Sequence, residues 1–111
     1  IINSNGITDK AAWGKRAEWV DYHGPVEGKT VGVAILNHPK SYRHPTPWHV
    51  RTYGLFTANP FGLRSLGQGK DGSFTLKKGE SIVLRHRVIF HKGNHETAKI
   101  AEAYKAYARE K

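Results

Sequence analysis

Thr30-Val31-Gly32-Val33-Ala34-Ile35-Leu36 is the stretch on which the fold turns. It carries no charge, and Thr30, Val31, Val33 and Ile35 are β-branched, a side-chain shape that fits a pleated sheet. An unbroken apolar run of this length, preceded by the turn-forming Glu27-Gly28-Lys29, reads as a strand covered on both faces. Such a strand occupies the centre of a sandwich, and its neighbours lie to either side in the sequence.

Upstream, Arg16–Tyr22 alternates, with Ala17 and Trp19 on one face and Glu18, Val20 and Tyr22 on the other. His23-Gly24-Pro25 reads as the break that ends this strand. Downstream, residues 37–47 contain Pro39, Pro45 and Pro47, which excludes them from a ladder or a helix. Trp48–Tyr53 alternates again, with Trp48, Val50 and Thr52 facing one way and His49, Arg51 and Tyr53 the other. Asn59-Pro60-Phe61-Gly62 is a turn and Gly67–Gly72 a polar loop. Ser73–Leu76, a Lys78-Gly79 turn and Ser81–His91 read as a hairpin, with Ile82, Leu84, Val88 and Phe90 sharing a face.

Asn94 reads as the N-cap of a helix with Glu96 in its first turn. That helix puts Thr97, Ile100, Ala101, Tyr104, Tyr107 and Ala108 on its apolar side. The links between strands are too short for parallel crossovers. The expected fold is therefore mainly β: an antiparallel β-sandwich closed by one C-terminal α-helix. Residues 1–111 would form a single such domain or the C-terminal part of a larger one.

Composition narrows the function classes. The 111 residues, 38% apolar and 24% charged, suit one globular domain. Without cysteine there is neither a disulfide nor a thiolate metal site. No apolar run approaches the roughly 20 residues that span a bilayer, so a soluble protein is expected, cytoplasmic or periplasmic or secreted. The opening Ile1-Ile2-Asn3 lacks an initiator methionine and reads like the inside of a longer chain, one that needs a missing N-terminal region or partner chain. The net charge of +9 invites nucleic acid, but Lys and Arg are spread along the chain with only Lys77-Lys78 adjacent. A basic surface is the better reading.

Chemistry concentrates between His38 and Arg51, where His38, His44 and His49 stand with Arg43, Arg51 and Trp48 on a proline-stiffened loop. One reading is a divalent metal such as zinc held by His38, His44 and His49, with Asp21 or Glu18 completing the shell. Their spacing matches no standard ligand pattern. Another is acid–base chemistry by His49 or His44, with Arg51 paired to His49 on one strand face. Arg43, Trp48, Tyr53 and Asn59 would then contact substrate. The plain structural alternative has the histidines capping turns and Trp48 in the core. Arg85, His86 and Arg87 form a second basic cluster, in which Arg85 and Arg87 share a face with Ile89 and His91 and line the same cavity or meet solvent. Phosphate loops, GxGxxG, HExxH and nucleophile elbows are all missing, and nine carboxylates in total disfavour a two-carboxylate glycosidase.

The segments Arg16–Gly24, VGVAILNHP, RHPTPWHVR, YGLFTANPFG and GSFTLKKGESIVLRHRVIFHKG resemble a bacterial family labelled "methane oxygenase PmoA". The resemblance runs through roughly residues 13–108 and matches the C-terminal third of longer members. It implies a soluble β-sandwich of the kind seen in sugar mutarotase-like proteins. Members of the family often accompany sugar oxidoreductases and isomerases, which implies carbohydrate metabolism. On this reading the ligand is a small-molecule carbohydrate, and the activity that of a sugar-directed lyase, isomerase or hydrolase.

Overall fold

A computed structural model describes residues 1–111. Six strands and one helix follow in order: β1 (Ile2–Asn3), β2 (Trp19–Val26), β3 (Lys29–Asn37), β4 (Trp48–Val50), β5 (Phe56–Ala58), β6 (His86–Lys92) and α1 (Ile100–Ala108). All strand pairs are antiparallel. One sheet has the order β1-β2-β3-β6, and β4 and β5 form a second, two-stranded sheet.

The apolar run 30–36 lies inside β3, between β2 and β6, with a layer on each side of it. On one face Trp19, Ala34 and Leu36 pack with Ile100, Tyr104 and Tyr107 of α1. On the other, Val20 packs with Ala12, Ala17 and Trp48 and Val50 of β4, and Tyr22, Ile35 and Phe56 extend the contact. The chain is thus mainly β, with antiparallel sheets and a single C-terminal helix.

Several elements depart from the sequence reading. β2 does not stop at Tyr22 but runs through His23-Gly24-Pro25 to Val26. β1 reaches only Val20 and Asp21, so the far end of β2 is an edge, where the missing Pro25 N–H breaks no ladder. The return is made by Glu27 and Gly28, with φ of 51° and 78°. Two consecutive positive φ values give the twist that a two-residue hairpin needs.

The strand expected over Trp48–Tyr53 ends at Val50, because Arg51–Gly54 turns back (Gly54 N–H donates to Arg51 O, 3.2 Å). The Tyr22 hydroxyl fastens that turn, donating to Arg51 O (2.8 Å) and accepting from Gly54 N–H (2.9 Å). The Lys78-Gly79 turn forms, but the hairpin around it does not: β6 pairs with β3 along its whole length, and Ser73–Leu76 pairs with no strand. Val88 and Phe90 share a face as expected, yet it is exposed. The helix begins later than expected. Asn94 Oδ1 accepts from Thr97 N–H (2.8 Å) and caps a separate turn, and α1 opens after Lys99, whose φ is 54°.

The four-stranded sheet extends well beyond the cover supplied by β4 and β5. Phe90 is 80% exposed, Val26 58% and Val88 51%, and strand alternation puts all three on the β4–β5 side. This half-covered face yields a prediction. Phe90→Glu should alter the unfolding free energy by no more than about 1 kcal/mol, and should lower apolar-dye binding and self-association. Leu36→Ala, beneath α1 on the opposite and covered face, should cost about 2–5 kcal/mol in urea unfolding.

Candidate functional site

The residues of the 38–51 segment do not converge. His38 is fully buried; its Nε2–H donates to Glu110 O (2.8 Å), its Nδ1 accepts from Lys40 N–H (3.1 Å), and its ring meets Tyr107 edge-on. Both nitrogens serve the fold and neither remains for a metal. His44 donates from Nδ1 to the buried Asn37 Oδ1 (2.5 Å), with its Nε2 3.5 Å from the Tyr104 hydroxyl. Burial pushes His44 below the usual imidazole value, partly offset by the Glu18 carboxylate, so the ring is neutral near pH 7.

His49 lies elsewhere, on the outward face of β4, in edge contact with Trp13 at 6.0 Å. The Arg51 guanidinium stacks over the same Trp13 at 4.4 Å, so His49 and Arg51 share an aromatic neighbour but are not paired along one strand. Arg43 is a clamp: its Nη1 donates to Pro60 O (2.9 Å) and Gly72 O (3.0 Å). Trp48 has no accessible surface and donates from Nε1 to Ala17 O, which removes it as a platform for a ligand. Tyr53 is exposed at a turn tip, and Asn59 Oδ1 is taken by the N–H groups of Phe61 and Gly62. His38, His44 and His49 therefore do not form one metal site.

The structure assembles a different constellation on the helix-covered face. In the antiparallel register His23, Gly32 and His91 form one row across β2, β3 and β6, and Asp21 lies in the next row with Ala34 and Ile89. Asp21 is fully buried, and its carboxylate accepts from His23 Nδ1–H at 2.7 Å and from His91 Nε2–H at 2.5 Å. His95, in the turn before α1, stacks on His23 with centroids 5.7 Å apart. Its Nδ1 is buried and has no hydrogen-bond partner.

Gly32 makes this meeting possible. A Cβ there would lie 2.6 Å from His91 Cε1 and 2.8 Å from His23 Cβ, inside van der Waals contact. The missing side chain leaves the space in which two imidazoles flank one carboxylate. A buried charge is tolerated only where it is paired and hydrogen-bonded, and Asp21 is held on both oxygens. With Nδ1 tied to Asp21, His23 keeps its Nε2 free, on a side chain that is 24% exposed. Asp21, His23 and His95 each offer a ligand atom, and these atoms lie within 4.8 Å of one another.

A concavity of about 660 Å³ is a trough on the opposite face of the same strands. Alternation gives it the side chains of Tyr22, Val26, Val31, Val33, Phe90 and Lys92, and His23, Gly32 and His91 border it. It is the uncovered half-face of the sheet. The chemistry lies on the other side.

Sequence reasoning named Asp21 as a possible ligand but missed its partners. Asp21-x-His23 already places both side chains on one strand face, a signal hidden where His23-Gly24-Pro25 reads as the end of the strand. The approach of His91 and His95 depends on the β3–β6 pairing and is not a local feature.

The profile described as "Family of unknown function (DUF6807)" matches residues 1–105, and the chain belongs to that family. Neither a curated protein nor a solved structure matches it.

Two predictions follow from the geometry. Gly32→Ala should push the His91 ring off Asp21 and lower stability by about 1–3 kcal/mol, outweighing the usual gain of Gly→Ala in a strand; an unfolding midpoint at or above the parent's would contradict this packing. The second concerns acid. Burial lowers the proton affinity of His44 and of His86, so the unfolded chain binds more protons once pH falls below about 6.5. The stability that these neutral rings contribute above that pH is lost on acidification. Urea midpoints should fall from pH 7.5 to pH 5, and the fall should be smaller in His44→Gln.

Proposed function

We propose that this member of the DUF6807 family supplies a histidine–carboxylate acid–base centre to an enzyme acting on a sugar or an oxidised sugar. The observation that carries the reading is the buried Asp21 gripping His23 through Nδ1 while His23 itself reaches the surface. A carboxylate on one ring nitrogen fixes the tautomer and leaves the other nitrogen as a base aimed outward. His23 Nε2 takes a proton from a substrate hydroxyl or an acidic carbon, and Asp21 counters the positive charge that appears on the ring. His91 holds the second oxygen of Asp21 and so fixes the carboxylate.

Two things support a carbohydrate. Lyases, isomerases and many hydrolases of sugars depend on moving a proton near neutral pH, the range in which imidazole works. The resemblance to the PmoA-labelled family, whose members accompany sugar enzymes, points to the same ligand class.

A second reading is favoured by the 80% exposure of Phe90: the domain works against a partner chain that brings a further β-layer. The trough continues the face that β4 and β5 already cover, and a layer added there would extend the same packing.

The test is an amide NMR titration with glucose, galactose, glucuronate and galacturonate, followed by a turnover assay on any sugar that binds. Shifts should gather at Asp21–Gly24, Gly32 and His91–His95, and His23→Gln should abolish turnover with the spectrum still dispersed. A panel that leaves these amides unmoved, or undiminished turnover in His23→Gln, would remove the centre from sugar chemistry.

A further inference from the structure

We infer that Asp21, His23 and His95 form a binding site for a divalent transition-metal ion of the zinc type. The inference concerns the same centre and gives His23 a second role in it: an imidazole bonded to a metal ion is no longer a free base, so the metal-bound and metal-free centres are distinct states, and only the metal's use on a sugar rests on the preceding reading.

The donor set fits. One carboxylate and two imidazoles make the mixed oxygen–nitrogen shell that zinc and its neighbours accept, with positions left for small ligands. The donor atoms lie within 4.8 Å of one another, a spread that one ion bonded at roughly 2.0–2.2 Å to each bridges after small adjustment. Two segments far apart in the sequence supply them: Asp21 and His23 alternate on β2, and His95 arrives from the turn ahead of α1. Such a site forms only in the folded chain.

One feature that hydrogen bonding within the chain leaves unexplained is accounted for by a metal, and a second fits one. The first is His95 Nδ1, buried without a partner. An orphaned buried polar atom is costly, and an ion bonded to Nδ1 would remove that cost. Glu96 does not remove it, because its carboxylate stands 3.8 Å from His95 Nε2, on the other nitrogen. The second is His91. It is 6% exposed and holds Asp21 Oδ1, which is what an outer-shell partner does when it orients a ligating carboxylate. Ion pairing of Asp21 with His23 and His91 satisfies the carboxylate but leaves His95 Nδ1 without a partner.

The experiment uses the tag-free chain, stripped with a chelator, dialysed and titrated with Zn²⁺ by calorimetry and with Co²⁺ by visible absorption. One equivalent should bind, with a Co²⁺ spectrum showing nitrogen–oxygen ligation. His95→Ala, a change at a partly exposed side chain, should abolish the stoichiometric site while amide NMR shows an intact fold. His91→Gln should weaken binding by about 10–100-fold. Absence of saturable binding by the folded chain, or unchanged binding in His95→Ala, would overturn the site. Sugar-dependent shifts at His23 in a chain that binds no metal would overturn the metal and leave the acid–base reading standing. Stoichiometric metal with no response to any sugar would do the reverse.

Discussion

The register of β2 on β3 is the constraint from which the rest of the molecule follows. Glu27 and Gly28, both at positive φ, close a two-residue loop that pairs Val26 with Lys29, and every later pair is then fixed. Side chains alternate with a period of two, so a slip of one residue would move Asp21 and His23 to the opposite face and Val20 and Tyr22 under the helix. The same register puts Gly32 opposite His23, and β6 brings His91 into that row from the other side. A turn of two residues thus decides where a carboxylate and two imidazoles meet, outside the His38–Arg51 segment.

Energetics explain why the arrangement holds. A carboxylate without accessible surface carries a desolvation cost of several kcal/mol, which only charge-assisted hydrogen bonds offset. Asp21 has one on each oxygen. The aromatic and aliphatic layer beside it, Trp19, Ala34 and Leu36 under Ile100 and Tyr104, seals the site on the helix side. The opposite face is built differently: β4 and β5 cover Val20 and Ile35 and stop, leaving Val88 and Phe90 in water. One sheet therefore has a chemically loaded, covered face and an apolar, half-open one.

Much of the architecture was legible in the sequence. The β3 run, the Glu27-Gly28 turn, the Lys78-Gly79 turn and the apolar stripe Ile100, Tyr104, Tyr107 are local patterns, and each appears where its residues stand. What failed was non-local. Ser81–His91 read as the partner of Ser73–Leu76, the nearer segment, but β3 offers a longer apolar ladder and takes β6. His23-Gly24-Pro25 read as a break because glycine and proline usually are one, whereas at an unpaired edge they cost little.

The site went astray for the same reason. Density of histidine and arginine between His38 and Arg51 drew attention to a loop whose polar groups turn out to be spent on carbonyls, amides and aromatic rings of the fold. Asp21 and His23 were in plain view, two residues apart. Their partners, 70 residues away in the case of His91, become visible only when the sheet is assembled.

The central claim is that Asp21 organises the centre by holding His23 through Nδ1 and His91 through Nε2, and imidazole nitrogen NMR reads this directly. Long-range proton–nitrogen spectra of the metal-free chain should show His23 protonated at Nδ1, the less common tautomer of a free ring, and His91 protonated at Nε2. Asp21→Asn should collapse the difference between His23 and a free imidazole. A wild-type His23 carrying its proton on Nε2 alone, or one unaffected by Asp21→Asn, would contradict the account.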